Sequence, residues 1–151
     1  MFLGSSEPGA PAREPIDVVV LFLDARGRLL GQRQFGSIGP DTADALAADG
    51  RDAWLAHGWQ GRLSLGTKHA IESTDTSALL LRIDREGPAD HWLAFDGEGV
   101  QKIMALAVQP RRVWVTGVFE GSLTARGIAK PIESAGKSDV FVARVDIPSQ
   151  D

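Results

Sequence analysis

The chain has 151 residues, 43% of them hydrophobic and 24% charged, with 16 basic and 20 acidic side chains and a formal net charge of −4. That length suffices for one domain with a real core, and the acidic balance, with no basic cluster longer than Arg111-Arg112, argues against a nucleic-acid partner. Cysteine is absent, which excludes disulfides and thiolate metal sites, and no apolar run reaches the length needed for membrane insertion.

Met1 to Pro15 carries Gly4, Pro8, Gly9, Pro11 and Pro15 among small residues and reads as a disordered or extended arm. As written it has neither the basic leader nor the apolar segment of a signal peptide. Ile16 to Asp24, IDVVVLFLD, is β-branched and apolar on both faces, so the sequence predicts a covered strand. Asp24-Ala25-Arg26-Gly27 is a turn signal, and Leu29 to Phe35 returns as a more polar strand.

Gly36 to Pro40 is a loop. Thr42 to Asp49 is alanine-rich and would favour a helix in isolation. Its counterpart sixty residues on, Lys102 to Gln109, shares the Ala-Leu-Ala triplet and runs into the strand-like VWVTGVF, so both are predicted as strands. Ala53 to Trp59 and Val113 to Phe119 follow as strands after matching turns. Gln60 to Asp75 and Glu120 to Ser138 read as longer connections. Ser77 to Asp84 matches Asp17 to Asp24, and Asp139 to Asp146 is a third copy, displaced by a further 62 residues. His91 to Asp96 is the returning strand, and Pro148 ends the pattern ahead of a short tail, 149–151.

Pairing residues 16–65 with 76–125 yields twelve identities, among them Asp24, Gly27, Phe35, Gly39, Ala45, Leu46, Ala47, Trp54, Gly61 and Leu63. Chance would give roughly four, so the chain is read as an internal duplication. Each unit amounts to four short antiparallel strands with apolar faces, which is stable only when copies stack; radial stacking makes a propeller. The expectation is therefore an all-β chain of four-stranded, propeller-type blades. Residues 16–35 form half a blade, 42–96 a whole one and 102–146 three strands of the next, all within a repeat region of 16–148. Such a partial propeller leaves edges and apolar faces open, so the expected partners are further blades, a protein, or another copy in a homo-oligomer.

The phrases WVTGVFEGSL and SAGKSDVFVARVD resemble the SBBP-type bacterial β-propeller repeat, and WLAHGWQGRLSL with TSALLLRID is similar but worn, with His57 in place of Gly117 and Ser77 in place of Asp139. The resemblance spans Ile16 to Ile147. It implies a structural and interaction repeat, found in cell-envelope or secreted bacterial proteins, without shared catalytic residues.

The side chains that carry chemistry are thinly spread. His57, His69 and His91 have no zinc-ligand spacing and are placed on the surface or in loops. Asp24 and Asp84 open turns and bond their own turn backbone more readily than calcium. Glu72 and Glu133 recur in both copies as solvated carboxylates. No serine lies in a GxSxG elbow, and the GKS of Gly136 to Ser138 lacks the upstream glycine of a phosphate loop. Among the tryptophans, Trp54 and Trp114 match across the repeat and are assigned to the core, while Trp59 and Trp92 are the candidates for exposed ligand contacts. The function expected is a non-catalytic structural or interaction module with no cofactor. The alternatives are a carbohydrate-binding module using Trp59 or Trp92, and a propeller-borne glycan hydrolase or lyase with loop carboxylates.

Overall fold

A computed structural model describes residues 17–50, 53–65, 70–85 and 91–147. The N-terminal arm, the C-terminal tail, His69 and the turn at Glu86-Gly87-Pro88 lie outside the described residues. Among the described residues eleven strands form three open antiparallel sheets, and no helix occurs. The first sheet is a hairpin of β1 (Val18–Leu23) and β2 (Leu29–Phe35). The second contains β3 (Thr42–Ala48), β4 (Ala53–Ser64), β5 (Ala70–Ile83) and β6 (Trp92–Asp96), hydrogen-bonded in chain order. The third pairs β7 (Gln101–Gln109) with β8 (Arg112–Phe119) and β8 with β11 (Asp139–Asp146).

The alanine-rich segments at 42–48 and 101–109 are strands, because each is paired along its length with a strongly β-forming neighbour. Tertiary pairing here overrides the intrinsic helix preference of alanine. The pairing itself is duplicated. Ala43 faces His57 and Ala45 faces Ala56 across a bulge; sixty residues later Ile103 faces Gly117 and Ala105 faces Thr116 across the same bulge. Val18 faces Phe35 and Leu21 faces Gln32 in β1–β2, just as Ala78 faces Phe95 and Leu81 faces Trp92 in β5–β6. Gly39 and Gly99 approach a neighbouring backbone equally closely: a Cβ on either would stand 2.9 Å from the carbonyl oxygen of Gln60 or Glu120 respectively. A one-residue slip would turn every side chain to the opposite face, so a register held over three segments is a strong constraint.

The sheets stack in three layers, with the second in the middle. Each sheet has a leading face, toward the earlier part of the chain, and a trailing face, toward the later part. The trailing face of the hairpin, Val18, Val20, Phe22 and Phe35, packs on Leu55 and Ile83 of the leading face of the middle sheet. Trp59, Leu63, Leu79 and Leu81 form the adjoining cluster. Trp54, Ala56, Ala78, Leu80 and Phe95 of the middle sheet's trailing face meet Ile103, Val113, Val115, Phe119 and Phe141 of the third sheet. The middle sheet is thus apolar on both faces, as its unbroken run of buried residues from Trp54 to Trp59 reflects.

Two connections differ from the sequence reading. Gln60 to Asp75 is not a loose connection: β4 and β5 continue past a bulge at Trp59/Gly61 and pair as far as Ser64 with Ala70. Within Glu120 to Ser138, β9 (Ser122–Ala125) and β10 (Ile132–Glu133) leave the third sheet and extend the second. Phe95 and Asp96 of β6 pair with Ala125 and Thr124, so the middle sheet has six strands rather than four. The returning β9 shields part of β6, which would otherwise offer unpaired backbone groups at an edge.

Candidate functional site

Of the two aromatic candidates, Trp59 is corrected by the structure. Its side chain is 1% exposed, held on the leading face of β4 among Leu63, Leu65, Leu79 and Leu81. Alternation along β4 places it beneath the first layer, where no ligand reaches it. Trp92, in β6, is half-buried against the same cluster, and the Arg126 guanidinium carbon lies 5.5 Å from its ring centre. That cation already occupies the π-face that a sugar would need. Trp54 is buried as assigned, but its repeat partner Trp114 is 40% exposed. Both lie on trailing faces. Only Trp54 has a following sheet to cover it.

The same asymmetry runs over both ends of the stack. Val140 and Val142 of β11 stand where Ala78 and Leu80 stand in the middle sheet, yet are 72% and 68% exposed, whereas Ala78 and Leu80 are fully buried. With Trp114 they form an open apolar trailing face on the third sheet. At the other end Val19, Leu21 and Leu23 occupy the repeat positions of the buried Leu79, Leu81 and Ile83, and all three are exposed on the leading face of the hairpin. Leu46 is 64% exposed, while its partner Leu106 packs against the core.

Two buried polar clusters lie outside the sequence reading. His57, placed at the surface by the sequence reading, is buried, and its Nε2 lies 3.0 Å from Asp41 Oδ1. The Asp41 carboxylate, also buried, accepts the Ser37 backbone N–H at 2.6 Å and the Ser37 hydroxyl at 3.1 Å. The carboxylate can only accept, so Nε2 carries the proton; Nδ1 meets no partner among the described residues. Serine, aspartate and histidine are together here, but the serine bonds the aspartate and not the histidine, which is not the order a nucleophile and its base require. The cluster ties the loop ahead of β3 to β4.

Gln101, at the repeat position of Asp41, does the equivalent work one unit later. Its amide donates to the carbonyls of Glu98 and Ser122 at 3.0 and 2.9 Å. Beside it Asp96 accepts from the Ser73 and Ser77 hydroxyls and from the Gly97 N–H, at 3.0, 2.6 and 2.9 Å. The available signal was a polar residue standing directly ahead of the alanine strand in both copies.

The remaining carboxylates are engaged or solvated. Asp24 accepts the N–H groups of Arg26 and Arg28 and the Arg28 guanidinium within its own turn. Glu72 pairs loosely with exposed Arg62 at 3.8 Å, and Glu133 is exposed on β10. Among the described residues no group of three or more histidine, aspartate or glutamate side chains is placed to hold a metal ion. Comparison with protein-family models, curated proteins and solved structures finds no match.

Proposed function

We propose that this chain is a non-catalytic structural and interaction module of propeller-type repeats, whose apolar end faces bind a protein partner or further blades. One observation carries the reading: the residues exposed at either end, Val19, Leu21, Leu23, Trp114, Val140 and Val142, occupy repeat positions that are buried by a neighbouring sheet within the stack. The duplicated registers support repeat units built to stack on their own kind. The polar clusters support structure over chemistry, since their hydrogen-bonding groups are turned on loop backbone and on one another. The carbohydrate-binding alternative loses Trp59 to the core and finds Trp92 under Arg126.

Photo-crosslinking in the producing cell tests this. A benzophenone side chain at position 21 or 142 is expected to give adducts heavier than the chain, and one at Ile38, exposed in a loop, is not. Adducts from position 38 alone, or from none of the three, would refute the reading.

A further inference from the structure

The two end faces are not merely both apolar; they are the two halves of one interface that the chain already makes internally. At the contact between the second and third sheets, the trailing residues Trp54, Ala78 and Leu80 meet leading residues that include Val115 and Phe141. The open trailing face presents Trp114, Val140 and Val142 at the positions of Trp54, Ala78 and Leu80. The open leading face presents Val19 and Leu21 at the position of Phe141 and the one two residues after it, Ala143.

We propose that the occupant of each end is a second copy of this chain, docked head to tail, so that Val140 and Val142 of one copy lie against Val19 and Leu21 of the other. This rests on the propeller-repeat reading. Such a contact is heterologous: it joins two different patches, and it either closes into a ring or runs on as a filament. Closed propellers hold about 4–8 sheets. Each copy brings a two-stranded half blade, a complete middle sheet and a three-stranded sheet, so one copy falls short of a ring and two copies supply one within that range. A head-to-tail pair closes both contacts at once, and does so without any change in the layers each copy already has.

The pairing rule makes the proposal testable with the 151-residue chain. The wild type is expected to sediment at twice 16.1 kDa. Leu21→Arg and Val142→Arg both change exposed side chains, and each is expected to give a folded monomer, because every head-to-tail contact then contains one charged face. Mixing the two variants is expected to restore a pair, since the intact tail of the first meets the intact head of the second. A face-to-face dimer would be abolished by only one of the two changes, and mixing would not repair it. A monomeric wild type, a dimer that survives either arginine, failure to complement on mixing, or a filament would overturn the proposal; circular dichroism separates a folded monomer from a misfolded variant. Crosslinks from position 142 to a different protein would overturn self-association while leaving the interaction reading standing.

Discussion

Phe141 lies over the bare backbone of Gly117, its register partner across β8 and β11, so closely that a Cβ on the glycine would stand 2.6 Å from the ring. In the preceding copy the same cross-strand pair is His57 opposite Leu79. Volume has moved from one strand to the other while the register has stayed the same. The consequence is local: the third sheet keeps its large aromatic on the leading face, stacked 5.3 Å from Phe95 of the middle sheet, and the preceding copy gains an imidazole that reaches Asp41.

Gly117→Ala is expected to destabilise the fold by about 1–3 kcal/mol, the usual cost of forcing an extra carbon into a filled core. The added carbon would meet the Lys102 carbonyl oxygen as well as the Phe141 ring. Shrinking the ring with Phe141→Leu is therefore not expected to restore stability. Urea unfolding of the single and double variants checks this, and recovery in the double variant would show that the ring alone sets the limit.

Breaking the Asp41–His57 contact is expected to cost about 1–3 kcal/mol, because a buried carboxylate then loses one of its three donors. His57→Ala and Asp41→Ala should not add when combined, since the His57–Asp41 contact is lost in each. A double-mutant cycle in urea reads the coupling directly; full additivity would mean that the two side chains act independently.

Gln101→Leu leaves the Glu98 and Ser122 carbonyls without the amide that joins them. A loss of about 1–3 kcal/mol is expected. Amide exchange should accelerate first at Glu98, Glu120 and Ser122, whose N–H groups hold this junction together. Uniform acceleration across all three sheets would instead indicate global destabilisation only.

The tryptophans separate core from surface. Trp59→Ala is expected to cost about 3–5 kcal/mol, as for other large buried aromatics. Trp114→Ala, on an open face, is expected to change the stability of the monomer by much less. Denaturation of the Trp114 change in a Leu21→Arg background, where association is blocked, keeps the two effects apart.

Asp24 gives the acid dependence a direction. The Arg28 backbone N–H, then its guanidinium, hold the Asp24 carboxyl below its ordinary 3.8, with the Arg26 N–H adding to the effect. A carboxylate whose folded value is lowered stabilises the fold above the unfolded value, and that contribution disappears as pH falls through the folded value. The Asp24→Asn variant is therefore expected to be less stable than wild type near neutrality and to converge with it in strong acid. Thermal unfolding followed from neutral to acid pH measures this; a constant gap would place the effect in the turn's shape instead.

The sixty-residue period, the strand identity of the alanine segments and the turn at Asp24 to Gly27 were legible in the chain, because repeat spacing, side-chain alternation and turn chemistry are local properties. Burial was not. Trp54 and Trp114 match in sequence and face the same way, yet one is covered and the other open, since covering depends on whether another sheet follows. For the same reason Trp59 read as a contact residue and proved to be core. The joining of His57 to Asp41, and of Gln101 to Ser122, spans segments with no periodic relation, and β9 crosses to the middle sheet by a route no local pattern specifies. By itself the sequence determined what each segment is and which segments are alike. Only the tertiary structure decided which faces meet, because burial belongs to a pair of surfaces and one strand's pattern describes half of the pair.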